Sequence, residues 1–250
     1  MKTITVTNEK GGTGKTATAQ AIGDGLTAAG SKVLFIDLDA QASLSYILRA
    51  DEGQPGAFEV LEDPQTIRDA IQTTPQGADI IAGSRSLAQA GDLLTDEDRA
   101  YRLKEALQGI KKKYDYCIID TPPALGIHTI NALTASDGAI ITAQPDILSK
   151  RGLEQLAHTI TGVKARNKKL NIYGIVLTKY DRRKTLHRQA AEGIKRKAEQ
   201  LGTKVYESTI REGVAVQEAQ TVRKSLFEYA PRSNAAKDYA ALIEEIKGDL

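Results

Sequence analysis

The 250-residue chain has one cysteine, one methionine, no tryptophan and three phenylalanines. A lone cysteine excludes a disulfide framework, a thiolate zinc site and a cysteine-ligated iron–sulfur cluster built within one chain. That residue, Cys117, lies in the apolar run Tyr116-Cys117-Ile118-Ile119, where a buried strand residue rather than a reactive thiol is expected. No apolar stretch approaches the roughly 18 to 20 residues that span a bilayer. The N-terminal Met1-Lys2-Thr3-Ile4 enters a strand pattern without a signal-peptide profile, so a cytoplasmic protein is expected. His128, His158 and His187 have no metal-ligand spacing, which leaves them structural roles.

What is present is an ordinary globular composition, 41% hydrophobic and 26% charged, at a length that one α/β domain spanning residues 1–250 accommodates. The formal charge is only +2, but it is unevenly spread: residues 1–150 hold 14 Lys+Arg and 20 Asp+Glu, and residues 151–250 hold 20 and 12. A basic second half suits a polyanionic partner. Short β-rich runs alternate with longer helical patterns, the signature of a mostly parallel sheet flanked by helices on both faces. Strands are expected at Thr3–Thr7, Lys32–Asp37, Ala78–Ile81, Tyr116–Asp120, Ala139–Ala143, Ile172–Thr178 and Lys204–Glu207. Ala100, Leu103, Leu107 and Ile110 mark one helix and Leu153, Leu156, Ile160 and Val163 another, each at the spacing that keeps apolar residues on one face.

The sharpest signal follows the first strand: Glu9-Lys10-Gly11-Gly12-Thr13-Gly14-Lys15-Thr16, then a helical stretch to Ala29 closed by Gly30. Glycines let the backbone turn tightly so that its N–H groups face phosphate oxygens, and the following helix presents its positive end to the same charge. Lys15 is placed to reach the β- and γ-phosphates and the Thr16 hydroxyl to ligate Mg²⁺. The fold class expected is therefore an α/β P-loop nucleoside triphosphatase. Such a site also needs carboxylates at the carboxyl ends of neighbouring strands. Asp37 and Asp39 end the second strand, and Asp120 ends the hydrophobic run Cys117-Ile118-Ile119 as a Walker B aspartate does.

The loop departs from the ordinary G-x-x-x-x-G-K-[ST] pattern. Glu9 stands where the first glycine belongs, and a second lysine, Lys10, opens the turn. The sequence K-G-G-x-G-K-T resembles the deviant Walker A motif of the ParA/MinD family of nucleotide-dependent dimerising ATPases, and most closely its small ParA-type partition ATPases without an N-terminal helix-turn-helix domain. Further landmarks are Asp120-Thr121-Pro122-Pro123, Gln144-Pro145, Gly174 to Asp181, Glu218-Ala219 and Glu228-Tyr229-Ala230-Pro231, so the resemblance covers about residues 3 to 245.

The resemblance implies ATP and Mg²⁺ as cofactors, slow basal hydrolysis of ATP to ADP and phosphate, and a homodimer closed on two nucleotides. Lys10, Lys15 and Asp39 are then the catalytic residues, with Lys10 reaching the partner's nucleotide and Asp39 positioning the hydrolytic water. The nucleotide is held by Lys10, Gly11, Gly12, Thr13, Gly14, Lys15, Thr16, Ala17, Thr178, Lys179 and Arg211, and the metal by Thr16, Asp37 and Asp120. Ala17 and Ala40 replace the family's usual hydroxyl residue and proline, and Thr209-Ile210-Arg211-Glu212-Gly213 stands where the family usually reads I-P-R-N.

The same engine serves different cargoes within this family. The terminal segment Asp238–Leu250 carries several acidic residues and no basic face, which disfavours a membrane-positioning, MinD-like role. Residues 151–224 hold 17 Lys+Arg against 7 Asp+Glu, with few aromatics to stack bases, a pattern for phosphate contact without sequence readout. Candidates for non-specific duplex DNA are Arg182, Arg183, Lys184, Arg188, Lys195, Lys197, Arg223 and Lys224. A ParB-like activator or cargo adaptor and a nucleoid-associated location complete what the resemblance implies. A small-molecule synthase or ligase with a related loop is the alternative; it requires a substrate pocket and no DNA affinity.

Overall fold

The computed structural model describes residues 1–75, 77–93, 97–146 and 149–250. Seven strands form one sheet in the order β3-β4-β2-β5-β1-β6-β7: β1 (Lys2–Thr7), β2 (Val33–Asp37), β3 (Ile71–Thr73), β4 (Asp79–Ile81), β5 (Tyr116–Asp120), β6 (Gly138–Ala143) and β7 (Asn171–Leu177). All pairings are parallel except β3 with β4. The helices are α1 (Lys15–Ala28), α2 (Ser43–Ile47), α3 (Ala57–Glu62), α4 (Ala90–Leu93), α5 (Arg102–Gln108), α6 (Ile127–Ala135), α7 (Ser149–Lys164), α8 (Thr185–Gln200), α9 (Val214–Thr221), α10 (Leu226–Tyr229) and α11 (Asn234–Lys247).

Alternation along each strand divides the core, because successive side chains of a strand point to opposite faces. Phe35 and Ile118 pack on one face with Ile22 and Leu26 of α1 and Leu242 and Ile243 of α11. Leu34, Ile36, Cys117 and Ile119 pack on the other with Val60 of α3 and Leu103 and Leu107 of α5. Beyond them on that side, Ile141 and Ile175 meet Leu153 and Leu156 of α7 and Ile194 of α8. Buried on both faces, these strands read as continuous apolar runs. Helix α1 lies unusually close to the sheet: a Cβ at Gly23 would fall 2.1 Å from the Phe35 ring.

Two strand assignments differ from the sequence pattern. Ile71–Thr73 forms an antiparallel edge strand, too short at three residues to show a period. Lys204–Glu207 is not a strand: Val205 makes one isolated parallel bridge with Ile175, and the segment turns away so that Tyr206 covers Gly174, where a Cβ would lie 2.5 Å from its ring.

This topology gathers the chemistry. β1 is central, between β5 and β6, and β2 lies beyond β5 with Asp37 in register with Asp120. The turns after β1, β2, β5, β6 and β7 therefore open at one edge, the carboxyl ends of parallel strands, where ligands of such sheets bind.

Candidate nucleotide-binding site

Residues 8–14 wrap from β1 into α1. Gly12 and Gly14 take φ values of 74° and 81°, left-handed conformations that an L side chain adopts only at a cost. The loop is fastened from the neighbouring strands. Asn8 donates its amide to the Thr142 carbonyl and accepts from the Lys10 N–H at 3.1 Å. Thr13 and Thr142 share a hydroxyl hydrogen bond of 2.9 Å, Thr178 Oγ1 donates to the Thr13 carbonyl at 2.8 Å, and Gln144 donates to the Gly12 carbonyl at 2.7 Å. The Thr13 side chain, fully buried, thus anchors the loop from behind. Asn8 and Thr142 are site residues that the motif does not announce, since their partners lie more than 100 residues away.

A cavity of about 650 Å³ lies over the loop, lined by Gly11, Gly12, Gly14, Lys15, Thr16 and Ala17 on one side, by Asp39 and Gln41 on another, and by Thr178, Lys179, Arg211, Val214, Gln217 and Tyr239 on the third. Lys15 is buried; desolvation holds its ammonium pKa below the ordinary value, opposed by the charges of Asp120 and Asp39. Arg211 reaches the wall while paired bidentately with Asp238, at 2.9 and 2.6 Å.

Four expected site residues do not line this cavity: Lys10, Thr13, Asp37 and Asp120. Asp37 and Asp120 are both fully buried on adjacent strands, and their carboxyl pKa values are raised, first by desolvation and, for Asp120, next by the neighbouring Asp37. Two carboxylates so close in a dry site cannot both ionise cheaply.

Their environments nevertheless differ. Asp37 accepts from Ser45 N–H at 2.9 Å, from Ser45 Oγ at 2.8 Å and from the Asp39 N–H at 3.1 Å, so the protein itself satisfies it. Among the described residues neither oxygen of Asp120 has a hydrogen-bond partner of good geometry, although the Thr16 hydroxyl and the Lys15 charge beside it pull its pKa back down. A buried carboxylate left open beside a threonine hydroxyl fits a hard divalent cation such as Mg²⁺, which takes one or two protein oxygens and completes its shell with water and phosphate. Among the described residues no group of three His, Cys, Asp or Glu side chains could hold a metal alone. Gly83 leaves room for the turn after β2: a Cβ there would lie 2.9 Å from the Asp39 carbonyl and 3.0 Å from the Asp37 carboxyl carbon.

Lys10 stays off the cavity wall and forms an ion pair with Asp146. On the basic half, Arg182, Arg183, Lys184 and Arg188 cluster at the start of α8. Arg183 pairs with Asp181 at 3.0 Å, and Arg188 donates to the Arg182 carbonyl at 3.0 Å. His187 accepts from the Asp181 N–H at 3.1 Å, the structural role expected of it. Lys195 and Lys197 lie further along α8 and Lys224 follows α9; they pair with Glu192, Glu154 and Glu228. Arg223 stacks on Tyr46 instead.

A phosphate-cradling loop between central strands and a helix, with buried carboxylates at the next two strand ends, defines a P-loop nucleoside triphosphatase. A family profile described as an AAA domain matches residues 1–172. The sporulation initiation inhibitor protein Soj of Bacillus subtilis is 39% identical over 98% of this chain and 98% of its own. McdA of Cyanothece, in its apo form, superposes with a TM-score of 0.88 at 25% identity over 100% of this chain and 99% of its own. Cobyrinic acid a,c-diamide synthase of Mycobacterium smegmatis, with an ATP analogue and magnesium, superposes with a TM-score of 0.80 at 30% identity over 98% of this chain and 93% of its own. The chain belongs to the ParA family of ATPases.

Proposed function

We propose that this chain is a ParA-type partition ATPase that binds ATP and Mg²⁺, closes as a homodimer on two nucleotides, holds duplex DNA without sequence preference at the nucleoid and releases it when a ParB-like activator or cargo adaptor stimulates an otherwise slow hydrolysis. The observation that carries this reading is the placement of Lys10. It belongs to the phosphate loop yet stays off the wall of its own cavity, held by a half-exposed ion pair with Asp146. A cation so placed suits a nucleotide on a facing protomer, where two triphosphates repel and added positive charge is worth most.

Within a protomer, Lys15 and the loop amides bind the phosphates. Thr16 and Asp120 would hold the magnesium ion, which when bound offsets phosphate charge. Asp39 faces the cavity to orient water, and Asp37 holds the Asp39 turn in place. Arg182, Arg183, Lys184 and Arg188 supply the DNA-facing charge; the ion pair that Arg183 makes with Asp181 is exposed on the arginine side, so it is weak and exchanges readily for a phosphate.

The test is retention of duplex DNA of arbitrary sequence by the protein with ATP, ADP or no nucleotide, across a salt series and alongside Asp39→Ala. Binding that needs ATP, survives Asp39→Ala and weakens steeply with salt is the expected result. Indifference to DNA in every nucleotide state overturns the partition reading in favour of a small-molecule synthase or ligase.

A further inference from the structure

Among the described residues, four non-glycine residues have positive φ, and three of them adjoin one contact, between α2 and the loop after α9. Ala42 (φ 49°) and Arg49 (φ 61°) bracket α2, and Arg223 (φ 54°) sits in the loop joining α9 to α10. Such conformations favour glycine, so a larger residue stays there only because its surroundings hold it. For Arg223 the holding partner is visible: its guanidinium lies 3.6 Å from the centroid of the Tyr46 ring. Tyr46, on α2, remains 52% exposed with Arg223 stacked on it.

Each side of this stack is tied to the nucleotide site. The Arg223 loop closes on α9 through Arg223 N–H to the Gln220 carbonyl at 3.1 Å and Lys224 N–H to the Ala219 carbonyl at 3.0 Å. It is moored to α1, the helix that begins at Lys15, by Gln20 donating to the Lys224 carbonyl at 3.4 Å. On the other side, Tyr46 follows Ser45, whose N–H and hydroxyl hold the Asp37 carboxylate, and Asp37 in turn holds the Asp39 N–H. A continuous path therefore runs from the phosphate-binding helix through Arg223, Tyr46, Ser45 and Asp37 to Asp39.

We propose that Tyr46 and Arg223 form a clamp that fixes the segment carrying Asp39 for ATP hydrolysis. Both are positioning residues, because neither lines the nucleotide cavity. The inference rests on the ATPase reading above. It gives Arg223 a function inside the protomer rather than on a DNA-facing surface.

The experiment measures Mg²⁺-dependent ATP turnover without DNA, affinity for a fluorescent ATP analogue and thermal midpoint for Tyr46→Leu, Arg223→Gly, their combination and Tyr46→Phe. A cation–π interaction of this kind predicts a kcat about five- to tenfold lower in each of the first two variants, with nucleotide affinity held within about twofold. The double variant is no slower than the slower single one, because both substitutions remove the same stack. Tyr46→Phe keeps the ring and restores turnover. Arg223→Gly places glycine where the backbone favours it, so its thermal midpoint does not fall, which separates a positioning defect from a folding defect. Unchanged kcat in Tyr46→Leu or Arg223→Gly, additive effects in the double variant, or a Tyr46→Phe protein as slow as Tyr46→Leu overturns the proposal. A parent protein that turns over no ATP sinks the ATPase reading and the clamp with it, whereas an active parent indifferent to these substitutions sinks the clamp alone.

Discussion

Asp24 lies in the body of α1, 8% exposed, and among the described residues its Oδ2 has no hydrogen-bond partner. Burial pushes its pKa up from 3.8 to about 6, and the neighbouring Ser225 and Gln20 offset only part of that. A folded-state value above the unfolded one means that the native chain binds the extra proton between the two. Stability from this residue is therefore greatest below the unfolded pKa, declines as pH rises through about 4 to 6, and is flat above about 7. The full linkage is about 3 kcal/mol at 1.4 kcal/mol per pKa unit, and side-chain relaxation brings the expected effect to about 1–3 kcal/mol. Asp24→Asn keeps the shape and removes the charge. Melting the nucleotide-free parent and variant from pH 4 to 8 should give a variant that is more stable at pH 8, by roughly 3–10 °C for a chain of this size, and a difference that shrinks towards zero at pH 4. Other carboxylates titrate alike in both proteins, so the difference isolates Asp24. A pH-independent difference, or a variant less stable at pH 8, refutes the argument.

Lys10→Ala should abolish nucleotide-dependent self-association while leaving single-protomer ATP binding in place, as read by sedimentation with a non-hydrolysable analogue. Asp146→Asn frees Lys10 from a partly exposed pair worth about 1 kcal/mol or less, so it should tighten that association by up to about fivefold; weaker association would contradict the placement of Lys10. Gly83→Ala forces a Cβ against the Asp39 carbonyl and the Asp37 carboxyl, which should cost about 1–3 kcal/mol of stability and slow turnover; a protein with unchanged melting and kcat would show that the turn has slack. Charge reversal at Arg182 and Lys184 should weaken duplex binding and reduce the salt slope by roughly 0.9 for each phosphate no longer neutralised, and an unaltered slope would move the DNA surface elsewhere.

Much of this protein is legible along the chain because its signals are local. The phosphate turn is eight consecutive residues whose glycines, lysine and threonine each answer a requirement of a bound phosphate. Six of the seven expected strands stand because fully buried parallel strands are continuous apolar runs. The failures were also local: Ile71–Thr73 is too short to carry a period, and Lys204–Glu207 has the composition of a strand but gains a single bridge beside Gly174.

The sequence by itself determined the α/β architecture, the phosphate loop and the identity of the acidic residues at the strand ends. Only the tertiary structure decided how those residues divide their work. Asp37 and Asp120 look equivalent as strand-terminal aspartates, yet Ser45 satisfies one and leaves the other open, because α2 folds back over the end of β2 and, among the described residues, no donor does the same for β5. Lys10 on Asp146 and Arg223 on Tyr46 join residues more than 130 positions apart. Composition registers each only as a charge; the partner that gives the charge a purpose is set by which loops the sheet order brings to a common edge.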